Sequence, residues 1–226
     1  MLMAFLSACA PNASTAAPAY HDYVIPPACP YQTNTIQFSG DSVSRGITEQ
    51  VSLPGYAIFN AGEGGSSYSL STSTLPSIGE RVIEWIEQCG SPMAVVMSGS
   101  TNDFSHHVPL ADLKTAVSVV SQYLAAKNIP VIWMTMHPVP NTGGWSQQMA
   151  ADRLAYNDWL MQPGNVVGTV VDSTPALQDP SDHGWLNPAY YRAVALGGYD
   201  PLHPSDAGYK VLAGLEEAAL ERLLNP

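Results

Sequence analysis

Short apolar runs rich in β-branched and aromatic residues recur along the chain from residue 34 onward. Thr35–Phe38, Ala57–Phe59, Ala94–Met97, Val131–Met134 and Val166–Val171 are each too short for a helix of ordinary length. Runs of this kind predict strands buried on both faces. Between them the apolar positions change period. Ser77 and Glu80 have the spacing of a capping box, ahead of Ile78, Val82, Trp85 and Ile86, and Gly90 suits the helix end. Leu110, Leu113, Val117, Val120 and Leu124 recur at helical spacing until Asn128-Ile129-Pro130 stops them. A last helix is predicted from Ser205-Asp206, burying Leu212, Leu215, Ala219 and Leu223.

Strands that alternate with helices predict βαβ units and a parallel sheet. The expected fold is therefore α/β, a three-layer α/β/α sandwich around a five-stranded parallel sheet. Residues 31–226 are read as one domain, without repeats, behind a separate segment over 1–30. The Pro- and Gly-rich stretches 137–145 and 174–200 follow the fourth and fifth strands and are long enough to wall a site.

Charge narrows the partners. Eight Lys and Arg face nineteen Asp and Glu, a formal net charge of −11. Nucleic acids and anionic membranes are disfavoured as partners, because binding them needs clustered cations. No run is long enough to cross a bilayer.

The N-terminus predicts export. Leu6-Ser7-Ala8-Cys9 resembles a bacterial lipobox, in which the cysteine takes a lipid, and a small, Pro-punctuated tether follows to Pro18. No Lys or Arg precedes Arg45, and the apolar stub is shorter than a usual signal core, so an ordinary tail with a chance cysteine is the alternative. Lipidation of Cys9 would attach the protein to the cell envelope. Cys29 and Cys89 then remain, either as a disulfide of the kind exported proteins form or as two buried thiols. No Cys-x-x-Cys spacing suggests a zinc site, and neither metal nor cofactor is expected.

Ligands of open parallel sheets bind beyond the carboxyl ends of the strands. At those ends stand Gly40-Asp41-Ser42, the glycine-rich loop Asn60 to Ser67, Ser100-Thr101-Asn102-Asp103 and, before the last helix, Asp200-Pro201-Leu202-His203. A serine hydroxyl needs a base to take its proton, and an imidazole base needs a carboxylate to fix its tautomer. Acyl transfer also needs N–H donors for the oxyanion. Ser42, His203 and Asp200 have the chemistry of the first set; Ser42 N–H, a glycine N–H and the Asn102 carboxamide have that of the second.

These four segments resemble the SGNH (GDSL-like) hydrolase family in order and spacing. The resemblance implies Ser42 as nucleophile, His203 as base, Asp200 as its orienter, and Ser42, Gly65 and Asn102 as oxyanion donors. Ser100 stands where the family pattern has glycine, and Gly62 is the alternative to Gly65. The implied function is hydrolysis of carboxylic esters through an acyl-enzyme, with short acyl or O-acetyl esters of small molecules or glycans favoured. Rival readings are a lysophospholipase or thioesterase, and a glycan-binding relative without catalysis. A flavodoxin-like cofactor binder would need a phosphate cradle that the first loop lacks.

Other residues are read more plainly. His106, His107 and His183 are expected in solvated loops rather than as metal ligands. His137 either lines the pocket or serves a turn. Trp145, Trp185, Tyr190, Tyr191 and Tyr199 either contact substrate or anchor loops. Arg45 is expected to bind a carbonyl or carboxylate of the protein, and Asp103 to organise its loop.

Overall fold

The computed structural model describes residues 29–225 apart from Ser73 and Leu196. The lipobox, Cys9 and the tether lie outside the described residues. Five parallel strands form the central sheet: β1 (Thr35–Gly40), β2 (Ala57–Gly62), β3 (Ala94–Met97), β4 (Val131–Met134) and β5 (Thr169–Val171), in the order β2-β1-β3-β4-β5.

Alternation along each strand feeds two cores. Val95, Met97, Val131 and Trp133 face one side, where α2 (Ile78–Cys89), α4 (Leu110–Ala126) and α5 (Gln147–Met161) pack. Ala94, Val96, Ile132 and Met134 face the other, against α1 (Ser42–Thr48) and α7 (Asp206–Leu224). Two short helices complete the set, α3 (Thr101–Ser105) and α6 (Thr174–Leu177). The three-layer sandwich is therefore as expected, and the Ser77–Glu80 capping box is formed in full at the start of α2.

Some elements differ from the sequence expectation. The first two strands run on to Gly40 and Gly62, carrying the chain right up to the site. The fifth begins at Thr169 instead of Val166. There the Val167 N–H donates to Ser121 Oγ and its carbonyl accepts from Trp133 Nε1, so side chains take the groups that strand pairing would use. Helix α5 has no strong apolar stripe, because Arg153 and Asn157 share its buried face with Ala150, Tyr156 and Leu160. The stretch expected as a loop over 174–200 holds α6 and the first strand of an antiparallel hairpin, β6 (Tyr191–Ala193) with β7 (Tyr199–Pro204).

Cys29 and Cys89 are joined as a disulfide, Cα atoms 5.3 Å apart, tying the approach to β1 to the end of α2. No helix among the described residues is long and apolar enough to cross a membrane.

Candidate active site

The chain reverses its direction of growth across the sheet between β1 and β3, which leaves a crevice at their carboxyl ends. Ser42 enters this crevice as the first residue of α1, directly after β1. Asp41 caps that helix from a fully buried position. Its Oδ1 accepts from Val43 N at 2.9 Å and its Oδ2 from Thr101 N at 3.2 Å, so one carboxylate joins the β1 and β3 turns. Burial pushes the Asp41 carboxyl above its ordinary range, against the pull of those hydrogen bonds.

His203 arrives on β7, 161 residues later in the chain, with Nε2 2.9 Å from Ser42 Oγ. Its Nδ1 lies 3.0 and 3.1 Å from the two oxygens of Asp200. A carboxylate only accepts, so Nδ1 carries the proton and Nε2 is left to receive the serine hydroxyl's hydrogen bond. Asp200 Oδ1 also accepts the N–H groups of Leu202 and His203, each at 2.9 Å. Burial pulls the Asp200 carboxyl upward, yet these N–H bonds and the adjoining imidazole outweigh it and hold it below the ordinary range. The sheet edge thus assembles a hydroxyl, an imidazole and a carboxylate in one chain of hydrogen bonds.

The three loop glycines differ in what their N–H groups do. Gly62 N–H donates to Asn60 Oδ1 at 3.1 Å and Gly64 N–H to Glu63 Oε1 at 3.2 Å. Gly65 N–H has no partner among the described residues, and its φ of +81° is one that glycine holds without strain. Of these three glycines, Gly65 is therefore the one with an uncommitted N–H. Asn102 Nδ2 donates to Ser66 O at 2.8 Å, which orients the carboxamide and leaves it a second N–H. Asp103, fully buried, accepts from Tyr68 N and Ser69 N at 2.9 Å each and so holds the segment that follows the glycine-rich loop, not only the loop it stands in. Burial raises its carboxyl. Ser100, in the family's glycine position, keeps a glycine-like backbone at φ +86°.

An open cleft of about 590 Å³ lies over Ser42, Asp200 and His203. Arg45, Glu49, Arg192 and Asp206 line it, with Val194 from the hairpin. A methyl group at Gly64 would lie 3.8 Å from Arg45 Nη2 and 4.0 Å from Ser42 Cβ, so Gly64 borders both side chains. Arg45 pairs with Glu63 at 4.0 Å, the carboxylate partner expected for it.

The remaining candidates are placed as follows. His106, His107 and His183 are exposed, and no cluster of metal-ligand type exists among the described residues. Trp145 and Trp185 are buried in the core and anchor their loops. Tyr191 and Tyr199 meet edge to face at 5.1 Å across the hairpin. His137 does not line this cleft and instead reaches across the fold. It is buried with Nε2 3.3 Å from Leu202 O. Sequence reading also missed Arg81, whose Nη2 donates to Gly40 O at 2.9 Å beneath the first turn. The partners of His137 and Arg81 have no local signal, because each lies across the fold.

Solved structures share this architecture at low identity. A GDSL-like lipase from Bacteroides thetaiotaomicron VPI-5482 matches with TM-score 0.64 and 18% identity, over 86% of this chain and 92% of that one. A psychrotrophic esterase from Pseudoalteromonas sp. matches with TM-score 0.60 and 15% identity, over 85% and 100%. A carbohydrate acetylesterase family member from Sinorhizobium meliloti matches with TM-score 0.62 and 11% identity, again over 85% and 100%. No curated protein sequence matches the chain. The sequence itself matches the family described as GDSL-like Lipase/Acylhydrolase over residues 38–211, from β1 into α7. The chain belongs to the GDSL-like lipase/acylhydrolase family.

Proposed function

We propose that this protein hydrolyses carboxylic esters by a two-step acyl-enzyme route. The carrying observation is the chain Ser42 Oγ, His203 Nε2, His203 Nδ1, Asp200, with gaps of 2.9 and 3.0 Å. Ser42 Oγ attacks the ester carbonyl while His203 Nε2 takes its proton, and Asp200 steadies the imidazolium. The tetrahedral oxygen is met by the N–H groups of Ser42 and Gly65 and by Asn102 Nδ2. The leaving alcohol takes the proton from His203. Water then attacks the acyl-enzyme by the same steps in reverse roles, and the acid departs. Family membership supports ester hydrolysis at this site.

Short acyl or O-acetyl esters suit the cleft best. It is open and lined mainly by polar and charged side chains, so the part of the substrate beyond the ester meets water and polar groups rather than an apolar tunnel. The carbohydrate acetylesterase of the same fold gives this choice of substrate a precedent. We further take residues 31–226 as one hydrolase unit behind an export segment, and the protein as exported; the Cys29–Cys89 disulfide supports that location.

A fluorophosphonate probe tests the mechanism directly. It is expected to modify Ser42, identified by peptide mass spectrometry, and Ser42→Ala and His203→Ala are expected to lose about 10³-fold or more in kcat on p-nitrophenyl acetate. Full activity of Ser42→Ala would refute the mechanism. A nitrophenyl ester series from acetate to laurate, with acetylated xylan alongside, tests the substrate: turnover should fall as the chain lengthens.

A further inference from the structure

The loop that carries the base is gripped from behind. Beyond β4 the chain stays buried through Thr135, Met136 and His137. His137 is 4% exposed, and its Nε2 reaches the carbonyl oxygen of Leu202 at 3.3 Å, across 65 residues of sequence. Leu202 immediately precedes His203 and gives its own N–H to Asp200 Oδ1 at 2.9 Å. One residue next to the base is therefore held at both backbone groups, by the orienting carboxylate on one side and by His137 on the other. The same β4 loop touches the hairpin twice more. Asn141 N–H donates to the Tyr191 hydroxyl at 3.1 Å, and a methyl at Gly144 would lie 2.5 Å from Pro201 Cβ.

We propose that His137 is a positioning residue for the base: an imidazole protonated on Nε2, whose hydrogen bond to Leu202 O fixes the turn that aims His203 at Ser42. A carbonyl can only accept, so Nε2 must carry a proton for the bond to exist. The surroundings keep the ring neutral. Burial pushes His137 down to about 4, and the nearby charges of Arg153 from α5 and His203 from β7 act in the same direction, against the bond to Leu202. A neutral donor holds the carbonyl without setting a second cation beside the base. Aim matters here because a displacement of about 1 Å in a reacting group costs on the order of 10²-fold in rate.

The inference rests on the reading of Ser42 and His203 as nucleophile and base, and the test separates the two. The purified chain, His137→Phe and His137→Gln are compared in kcat and KM on p-nitrophenyl acetate and in their rates of fluorophosphonate labelling. His137→Phe should lose tenfold or more in kcat, with KM within twofold and labelling slowed in parallel. His137→Gln keeps an N–H of similar reach and should return to within about threefold of the parent. ¹⁵N-imidazole NMR of the parent protein should show His137 as the neutral Nε2–H tautomer from pH 5.5 to 8. The inference is overturned by a His137→Phe kcat within twofold of the parent, by a Gln variant as slow as Phe, or by an Nδ1–H tautomer. The NMR arm needs no variant, so it decides the matter even if His137→Phe does not fold. A parent protein that neither labels nor turns over overturns the active-site reading itself.

Discussion

Ser100 sits at φ +86° and ψ −4°, in the left-handed region, directly before α3 and two residues before Asn102. For a residue with a Cβ that conformation costs about 1 kcal/mol. Ser100→Gly removes the strain, and the greater freedom of glycine in the unfolded chain takes back roughly half of the gain. The variant should gain about 0.5 kcal/mol in urea denaturation, and a loss of stability would show that the serine side chain is needed. His137 offers a second measurement. Burial pushes its pKa down to about 4 in the folded chain, against about 6.5 for an unfolded histidine. Between those values the unfolded chain binds more protons, so stability rises with pH and is lost on acidification, by up to about 3 kcal/mol across the window. Asp200, held low, acts in the same direction, whereas Asp41 and Asp103, raised by burial, act oppositely. The difference between parent and His137→Gln isolates the histidine. Urea titrations from pH 4.5 to 7.5 should give the parent the steeper slope, and equal slopes would refute the assignment.

At the scale of elements, helix α5 shows why a buried helix can escape a periodicity reading. Its inward face is Ala150, Arg153, Tyr156, Asn157 and Leu160, so polar residues recur at the same spacing as apolar ones. They are there to serve the backbone beyond β4. Asn157 accepts from Met136 N at 2.9 Å and donates to Met136 O at 2.8 Å, while Arg153 Nη1 donates to the same oxygen at 3.1 Å. Asn157→Ala leaves the buried Met136 N–H without its acceptor and should cost about 2 kcal/mol, read as a lower urea midpoint. An unchanged midpoint would mean that water replaces the carboxamide. The β6–β7 hairpin escaped for another reason. Its first strand, Tyr191–Ala193, is short and largely exposed with no run that stands out, and the second, Tyr199–Pro204, carries two prolines, Asp200 and His203. Gly197-Gly198 between the strands was its one legible signal. β3 and β4 were easily read by contrast, because burial along their whole length makes them apolar throughout.

Over the whole molecule, the disulfide ties the approach to β1 to the end of α2. Cys29 precedes that strand and Cys89 ends α2, closing a loop over a sequence separation of 60. By the loop-closure argument the crosslink stabilises the fold by about 4 kcal/mol. Reduced protein, or Cys29→Ser with Cys89→Ser, should show a clearly lower thermal midpoint, with esterase activity kept well below it because neither cysteine approaches the cleft. An unchanged midpoint would show that reduction leaves the unfolded chain as constrained as before. The layer architecture, the five parallel strands and the segments that gather at one sheet edge were all legible without coordinates. Each rests on local periodicity or on motif spacing, and both are written along the chain. Contact between Ser42 and His203, the idle N–H of Gly65, and the grip of His137 on Leu202 were settled only by the tertiary structure. The two contacts join residues far apart in sequence through single hydrogen bonds, and an N–H left idle depends on what the fold brings near it, so none of the three imposes a period or leaves a local trace.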